Sequence, residues 1–288
     1  MDLNEAMHHA WRALDSLARE LTDHSTDIPS ELFHYTSAEG LIGIVTSRSL
    51  WASDMLCLSD ASEADYADTL ILKAVKRKCQ FLTPEHVRAF TKALTEELPL
   101  YTPFVTCFCE NGNLLSQWRG YGGSGAGFAL GFSRLWLSTQ AAFDGAPCRL
   151  QKVIYSPDDQ QRLIHHYLEG ATTVSRQFEV RDTGAQWFWS MAARTMGRLV
   201  VAFKDPVFTE ENEWRLVSQA ILVGERGYRQ SGHRIVPYAS IPIKEDSALT
   251  SLIRGPYFVG DRGSAELLGN SGFHAQHNIR DSKIPLRR

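Results

Sequence analysis

Gly120-Tyr121-Gly122-Gly123-Ser124-Gly125 has the spacing G-x-G-x-x-G, and its surroundings separate two fold classes. In a doubly wound α/β fold this pattern follows a strand and opens a helix whose N-terminus holds a pyrophosphate. Here the glycines run instead into Phe128-Ala129-Leu130-Gly131-Phe132, an apolar stretch of strand character. That context excludes the dinucleotide fingerprint and leaves a loop beside a pocket, or a plain β-turn. On the N-terminal side, Ser116 to Tyr121 reads as a tight turn or one helical turn, preceded by a strand from Phe104 to Cys109.

Working outward, strands and helices interleave without a regular βαβ rhythm. Leu3, Met7, Trp11, Leu14, Leu17 and Leu21 recur at helical spacing and predict an amphipathic N-terminal helix. Leu32 to Tyr35 reads as a strand, and Ser37 as the N-cap of a helix that buries Leu41, Ile42, Ile44 and Val45. Leu50-Trp51-Ala52 is a further strand; Ser62 to Lys78 and Pro84 to Leu98 are helices, the second with proline in its first turn. Strands are expected at Gly127–Phe132 and Lys152–Tyr155, and helices around Asp158–Phe178 and Gln186–Phe203. The last third turns β-rich, at Trp214–Ser218, Arg234–Tyr238, Arg254–Val259 and near Ile279, with a small helix in Gly260–Gly269. The pattern predicts an α+β fold with a mixed sheet, organised as an N-terminal helix and linker over 1–30 and one α+β domain over 31–288.

The 288 residues suffice for a substantial core, and 43% hydrophobic with 22% charged residues is ordinary for a globular protein. A formal charge of −3 gives no global attraction to nucleic acid or anionic membrane, although Arg149, Lys152, Arg181, Arg194, Arg198 and Lys204 allow a local basic groove. Five scattered cysteines without a C-x-x-C suit reduced thiols in the cytoplasm. Cys107 and Cys109 share a strand face, but nothing nearby completes a tetrahedral set, so no metal is expected. The polar start is unlike a secretory signal, and no apolar run approaches the ~20 residues that span a bilayer.

Three polar stretches at the edges of apolar segments are candidates for one nucleotide site. In Phe33-His34-Tyr35-Thr36-Ser37, His34 is either a core histidine bonded to backbone or an imidazole that meets a ribose hydroxyl; Thr36 and Ser37 bind ligand or cap the helix. In Ser116-Gln117-Trp118-Arg119-Gly120-Tyr121, Arg119 binds a phosphate bidentately or is a surface arginine, and Trp118 stacks or plugs the core. In Glu211-Asn212-Glu213-Trp214-Arg215, an unbroken strand would turn Glu211 and Glu213 to one side, where mutual repulsion raises one pKa or aims it at a ligand; the bland reading is a solvated acidic run.

The ordered set Phe33 to Ser37 with Gly40-Leu41, Leu50 to Ser53, Ser59-Asp60, Leu115 to Gly122, Gly127 to Phe132, Glu211 to Leu216, Gly255-Pro256 and Ser282 to Arg287 resembles a bacterial family catalogued as domain of unknown function 2971. The resemblance runs from about Leu32 to Arg287 and assigns no activity. More loosely, the layout is similar to ADP-ribosyltransferases, which place a histidine or arginine on an early strand, an aromatic or serine motif centrally and a late glutamate, often in Glu-x-Glu. That likeness implies a partly split mixed sheet packed with helices, and NAD as substrate without a metal. It implies catalytic roles for His34 and for Glu213 or Glu211, and nucleotide contacts from His34, Tyr35, Thr36, Trp51, Ser116, Gln117, Trp118, Arg119 and Tyr121. The implied reaction breaks the nicotinamide–ribose bond and passes ADP-ribose to an unknown protein or nucleic-acid acceptor or to water, as toxins and phage-defence effectors do. The alternatives are a nucleotide sensor without turnover and a nucleic-acid-binding protein of the same fold.

Overall fold

The computed structural model describes residues 3–22, 27–58, 62–78, 83–97, 103–139, 142–143, 146–177, 183–218, 226–231, 233–259 and 262–285. Ser59-Asp60, Cys79, Leu98, Phe178, Arg181, Gly260 and Arg287, which figure in the sequence reading, lie outside them. In chain order the elements are α1 (Leu3–Glu20), β1 (Glu31–Thr36), α2 (Ala38–Ser47), β2 (Ser49–Asp54), α3 (Ser62–Lys78), α4 (Pro84–Lys92) and β3 (Phe104–Cys109). There follow α5 (Leu115–Gly120), β4 (Phe128–Ser133), α6 (Arg134–Thr139), β5 (Ala142–Phe143), β6 (Ala146–Lys152), α7 (Pro157–Gln177) and α8 (Thr183–Val200). The chain closes with β7 (Glu213–Ser218), β8 (Gly227–Ser231), β9 (Arg234–Pro242), β10 (Leu249–Arg254), α9 (Gly263–Ser271) and β11 (Ile279–Asp281). Among the described residues no helix is long and apolar enough to cross a membrane.

These elements gather into two compact units. The first takes Met1–Asp23, Met55–Pro103 and Val153–Thr209, and its described helices are α1, α3, α4, α7 and α8. Its core is built on α8, whose Phe188, Trp189, Ala192, Ala193, Met196 and Leu199 are buried. Gly170 lets α1 approach α7, because a Cβ there would stand 2.5 Å from Leu17 Cδ2. Two polar contacts inside this unit join its helices: the Tyr167 hydroxyl donates to the Ala192 carbonyl at 2.8 Å, and Asp15 pairs with Arg19 and Arg198.

The second unit, His24–Asp54, Phe104–Lys152 and Glu210–Arg288, carries the sheet. Its eleven described strands run in the order β11-β10-β4-β1-β3-β2-β9-β8, with β7 joining β3 to β6 and β5 pairing β6. Among the described strands only β10 and β11 pair in parallel, so the fold is α+β with a mixed sheet. One face buries Leu32, Phe108, Leu130, Phe132, Trp214 and Leu216 in the larger apolar cluster, and the other carries a smaller one of Phe33, Tyr35, Cys109, Trp118, Ala129 and Ile253.

Most predicted elements are present, and the departures have local causes. Ser37 caps α2 by accepting from the Gly40 amide at 3.1 Å. The strand expected over Lys152–Tyr155 is instead β6, which ends at Lys152 where the chain leaves the sheet unit; Ile154 forms only an isolated bridge to Phe203. The strand expected over Arg254–Val259 ends at Arg254. Pro256 has no N–H for a ladder, and Gly255 turns the chain by donating to the Gly127 carbonyl at 2.8 Å. The helix expected to Leu98 is α4 to Lys92, continued by a wider turn over Ala93–Glu97.

Candidate functional site

The site begins with a division in the sheet. One edge of β3 is occupied by β7, which pairs from Val105↔Val217 to Cys109↔Glu213. The other edge is shared: β2 takes Phe104 and Val105, while β1 takes only Cys109, through Phe33. Between them the ladder is open, and side chains meet the backbone there. Thr106 donates its hydroxyl to the Trp51 carbonyl at 3.2 Å, and His34 Nδ1 lies 2.9 Å from the Cys107 carbonyl. A carbonyl only accepts, so Nδ1 carries the proton. Burial, opposed by that hydrogen bond and reinforced by the Arg229 charge, holds the His34 pKa below its ordinary 6.5. Neutral His34 is therefore the Nδ1–H tautomer, and Nε2 keeps a lone pair.

The next residue, Tyr35, turns to the opposite face, as strand alternation requires. Its hydroxyl donates to the Asn111 carbonyl at 2.7 Å and accepts from the Leu114 amide at 2.9 Å, and its ring meets Trp118 edge-on at 4.8 Å. Trp118 is fully buried and donates to Asn113 Oδ1 at 3.0 Å, so Tyr35 and Trp118 together anchor the segment leading into α5. On α5, Gln117 is buried, yet its amide makes no hydrogen bond among the described residues. The Ser116 hydroxyl oxygen is likewise buried without a partner there. Arg119 and Tyr121 are exposed. The glycine loop then returns against β1: a Cβ on Gly127 would stand 2.3 Å from the Thr36 carbonyl, and one on Gly122 2.5 Å from Trp118 Cε3. The loop passes a short 3₁₀ turn, Gly123–Gly125, and enters β4 rather than a helix, in agreement with the rejected dinucleotide fingerprint.

The acidic pair departs from its expected geometry. Glu211 ends a 3₁₀ turn, and Asn212 is left-handed at φ 41°, so strand alternation starts only at Glu213. Both carboxylates nonetheless lie near enough to Cys109 for their charges to act on its thiol. The Cys109 thiol is pushed up to about 12, chiefly by burial and then by the charges of Glu211, Glu213 and Glu110 around it. Cys109 Sγ donates to the Glu211 carbonyl at 2.7 Å. Glu213, 5% exposed, is gripped by fully buried Arg215 through Nε–Oε1 at 2.8 Å and Nη2–Oε2 at 3.1 Å. Glu110 accepts from Trp214 Nε1 at 2.9 Å and pairs with Lys152 at 3.1 Å.

The residues singled out in the sequence thus fall in the sheet unit in three groups. Tyr35 and Glu213 share one face by register, and Trp118 packs against Tyr35 there; His34 shares the other with Phe108, its ring tilted at 5.9 Å, and reaches into the gap. Trp51 stacks on Tyr238 at 4.4 Å over the β2–β9 pair. The His34 side chain makes one hydrogen bond among the described residues, to Cys107, and none to Arg119, Glu211 or Glu213. In the helical unit, the proposed basic track loses surface: Lys204 is 3% exposed and Arg198 engages Asp15, while Arg194 is exposed. Sequence reading missed Arg215 as the partner of Glu213, although an acid two residues before a base on a strand signals such a pair. It also missed Arg229, which sits in a polar stretch, Gly227-Tyr228-Arg229-Gln230-Ser231, without apolar alternation.

No curated protein and no solved structure matches the chain. Residues 117–216, from α5 to β7 and including Gln117, Trp118, Arg119, Tyr121, Glu211 and Glu213, match the family described as Protein of unknown function (DUF2971), which supports that resemblance over this stretch.

Proposed function

We propose that the protein is an ADP-ribosyltransferase-like enzyme that cleaves the nicotinamide–ribose bond of NAD and passes ADP-ribose to a macromolecular acceptor or to water. The observation that carries this reading is His34 at the divided edge of β3, its Nδ1 proton committed to the Cys107 carbonyl and its Nε2 left to accept from a ribose hydroxyl. Cleavage develops positive charge on the sugar, as in glycoside hydrolysis, and a fixed carboxylate stabilises that state. Glu213 or Glu211 fills this role; nicotinamide leaves with the bonding electron pair, and the attacking hydroxyl or water forms the new bond to the sugar carbon and gives up its proton to solvent. Arg119 is exposed and makes no ion pair among the described residues, and its guanidinium would meet phosphate oxygens.

The direct test follows nicotinamide release from NAD. Glu213→Gln and Glu211→Gln are compared with wild type, each first checked for native near-ultraviolet circular dichroism because Glu213 neutralises a buried arginine. The carboxylate that acts loses about 10²–10³ in rate, the range seen when one stabilising group is removed. Absence of nicotinamide release from wild type sinks the enzyme reading.

One observation favours a second reading, a nucleotide sensor without turnover. Both oxygens of Glu213 are engaged by Arg215, which suits a structural ion pair rather than a group aimed at substrate. Calorimetry then detects NAD binding with no product formed.

A further inference from the structure

The hairpin β8–β9 places an arginine, Arg229, beside the opening in the sheet with no carboxylate paired to it among the described residues. Register puts Ser53 opposite Tyr238, Tyr238 opposite Gly227, and Arg229 two residues on, so all four share a face with Trp51. Contacts bear this out. Arg229 Nη2 donates to Ser53 Oγ at 2.9 Å, the rings of Trp51 and Tyr238 stack at 4.4 Å and 23°, and a Cβ on Gly227 would lie 2.5 Å from Tyr238 Cζ. Arg229 Nε is buried without a hydrogen-bond partner among the described residues. Trp51 remains 43% exposed although Tyr238 covers one side of its ring. A guanidinium is always charged, and a buried N–H left unpaired destabilises the fold, which a ligand oxygen would offset. Burial lowers the Arg229 pKa, and the phenol of Tyr238 opposes this.

We propose that Arg229 and Ser53 bind the phosphate oxygens of a nucleoside diphosphate, with the Trp51–Tyr238 stack receiving its planar base. Arg229 Nε supplies the donor that a bidentate phosphate contact needs alongside an Nη nitrogen. The exposed side of Trp51 supplies an apolar aromatic surface of the kind on which bases stack. This deepens the NAD reading by assigning the diphosphate to Arg229 rather than to Arg119, and it rests on that reading for the dinucleotide.

The test uses the full chain and three probes: pyrophosphate, ADP and nicotinamide riboside, which lacks phosphate. The nitrogen-15 resonance of Arg229 Nε is followed during titration with pyrophosphate and ADP, and affinities are measured calorimetrically for wild type, Arg229→Gln, Arg229→Lys and Trp51→Leu. The Nε resonance is expected to move with both phosphate probes. Arg229→Gln should weaken ADP at least tenfold and leave nicotinamide riboside unchanged, Arg229→Lys should fall between, and Trp51→Leu should weaken ADP but not pyrophosphate. An unmoved Nε resonance, ADP affinity indifferent to Arg229→Gln, or no ADP binding at all overturns the proposal. Arg229-dependent ADP binding in a protein that releases no nicotinamide upholds the subsite while removing the enzymatic reading, so the two failures are told apart. Should Arg229→Gln fail to fold, the wild-type resonance and Arg229→Lys decide.

Discussion

At the scale of single residues, His34 ties protonation to folding. Its folded pKa lies below 6.5, first because burial disfavours the charged ring and then because Arg229 is near, with the Cys107 carbonyl opposing both. The sign follows from proton counting: between the folded pKa and 6.5, the unfolded chain binds more protons at this residue than the native one. The native state therefore loses stability as pH falls through that window, by at most about 1.4 kcal/mol per pH unit for a single group. Gln in place of His34 keeps an N–H for Cys107 and does not titrate. Urea unfolding at pH 7.5, 6.5 and 5.5 should show wild type weakening more steeply than His34→Gln, the other histidines cancelling in the difference. Parallel slopes would refute burial of a neutral ring. Asn212 gives a second residue-scale prediction. A left-handed residue other than glycine costs roughly 1–2 kcal/mol, less for asparagine, whose side chain bonds locally. Asn212→Ala should lose about 1 kcal/mol on chemical denaturation, and Asn212→Gly should lie within a few tenths of wild type.

At the scale of elements, the Tyr35 hydroxyl joins β1 to the segment before α5 by serving Asn111 as donor and Leu114 as acceptor. Tyr35→Phe keeps the edge contact with Trp118 and strands a carbonyl and an amide, so a loss of about 1–3 kcal/mol is expected in urea unfolding. A loss below 0.5 kcal/mol would mean that water replaces the hydroxyl. Strand pattern made β1, β3, β4 and β7 legible, since each buries apolar side chains on at least one face and is bounded by turn residues. It could not reveal β8, which pairs with β9 and exposes Tyr228, Gln230 and Ser231, because none of its described side chains is a buried apolar one. The same blindness hid Arg229. Glu211 and Glu213 were visible as a pair, but one left-handed asparagine moved the start of strand alternation, and backbone handedness has no periodic trace in sequence.

At the scale of the whole chain, each compact unit is assembled from three separated segments, with boundaries at 23/24, 54/55, 103/104, 152/153 and 209/210. No hydrophobic period reports such an exchange, which is set by contacts between residues distant in sequence. It has a consequence for truncation. Residues 210–288 contribute β7, β8, β9, β10 and β11 to the sheet unit. Without them β3 loses β7, β2 loses β9 and β4 loses β10, and the core loses Trp214, Leu216 and Leu252, all fully buried. Each such side chain contributes about 1.5–3 kcal/mol by burial, so these three together approach the whole stability of an ordinary domain, 5–15 kcal/mol. The strands left behind would also expose unpaired edges that invite association. A fragment ending at residue 209 is therefore expected to lack the native near-ultraviolet signal of the sheet unit's tryptophans and to aggregate. Adding a 210–288 fragment during refolding should restore solubility, because it returns β7 to β3 and β9 to β2. A soluble 1–209 fragment in which Tyr35 and Trp118 keep native hydrogen-exchange protection would show that β1, β3 and β4 hold together without the late strands, contrary to the division of the chain into these two units.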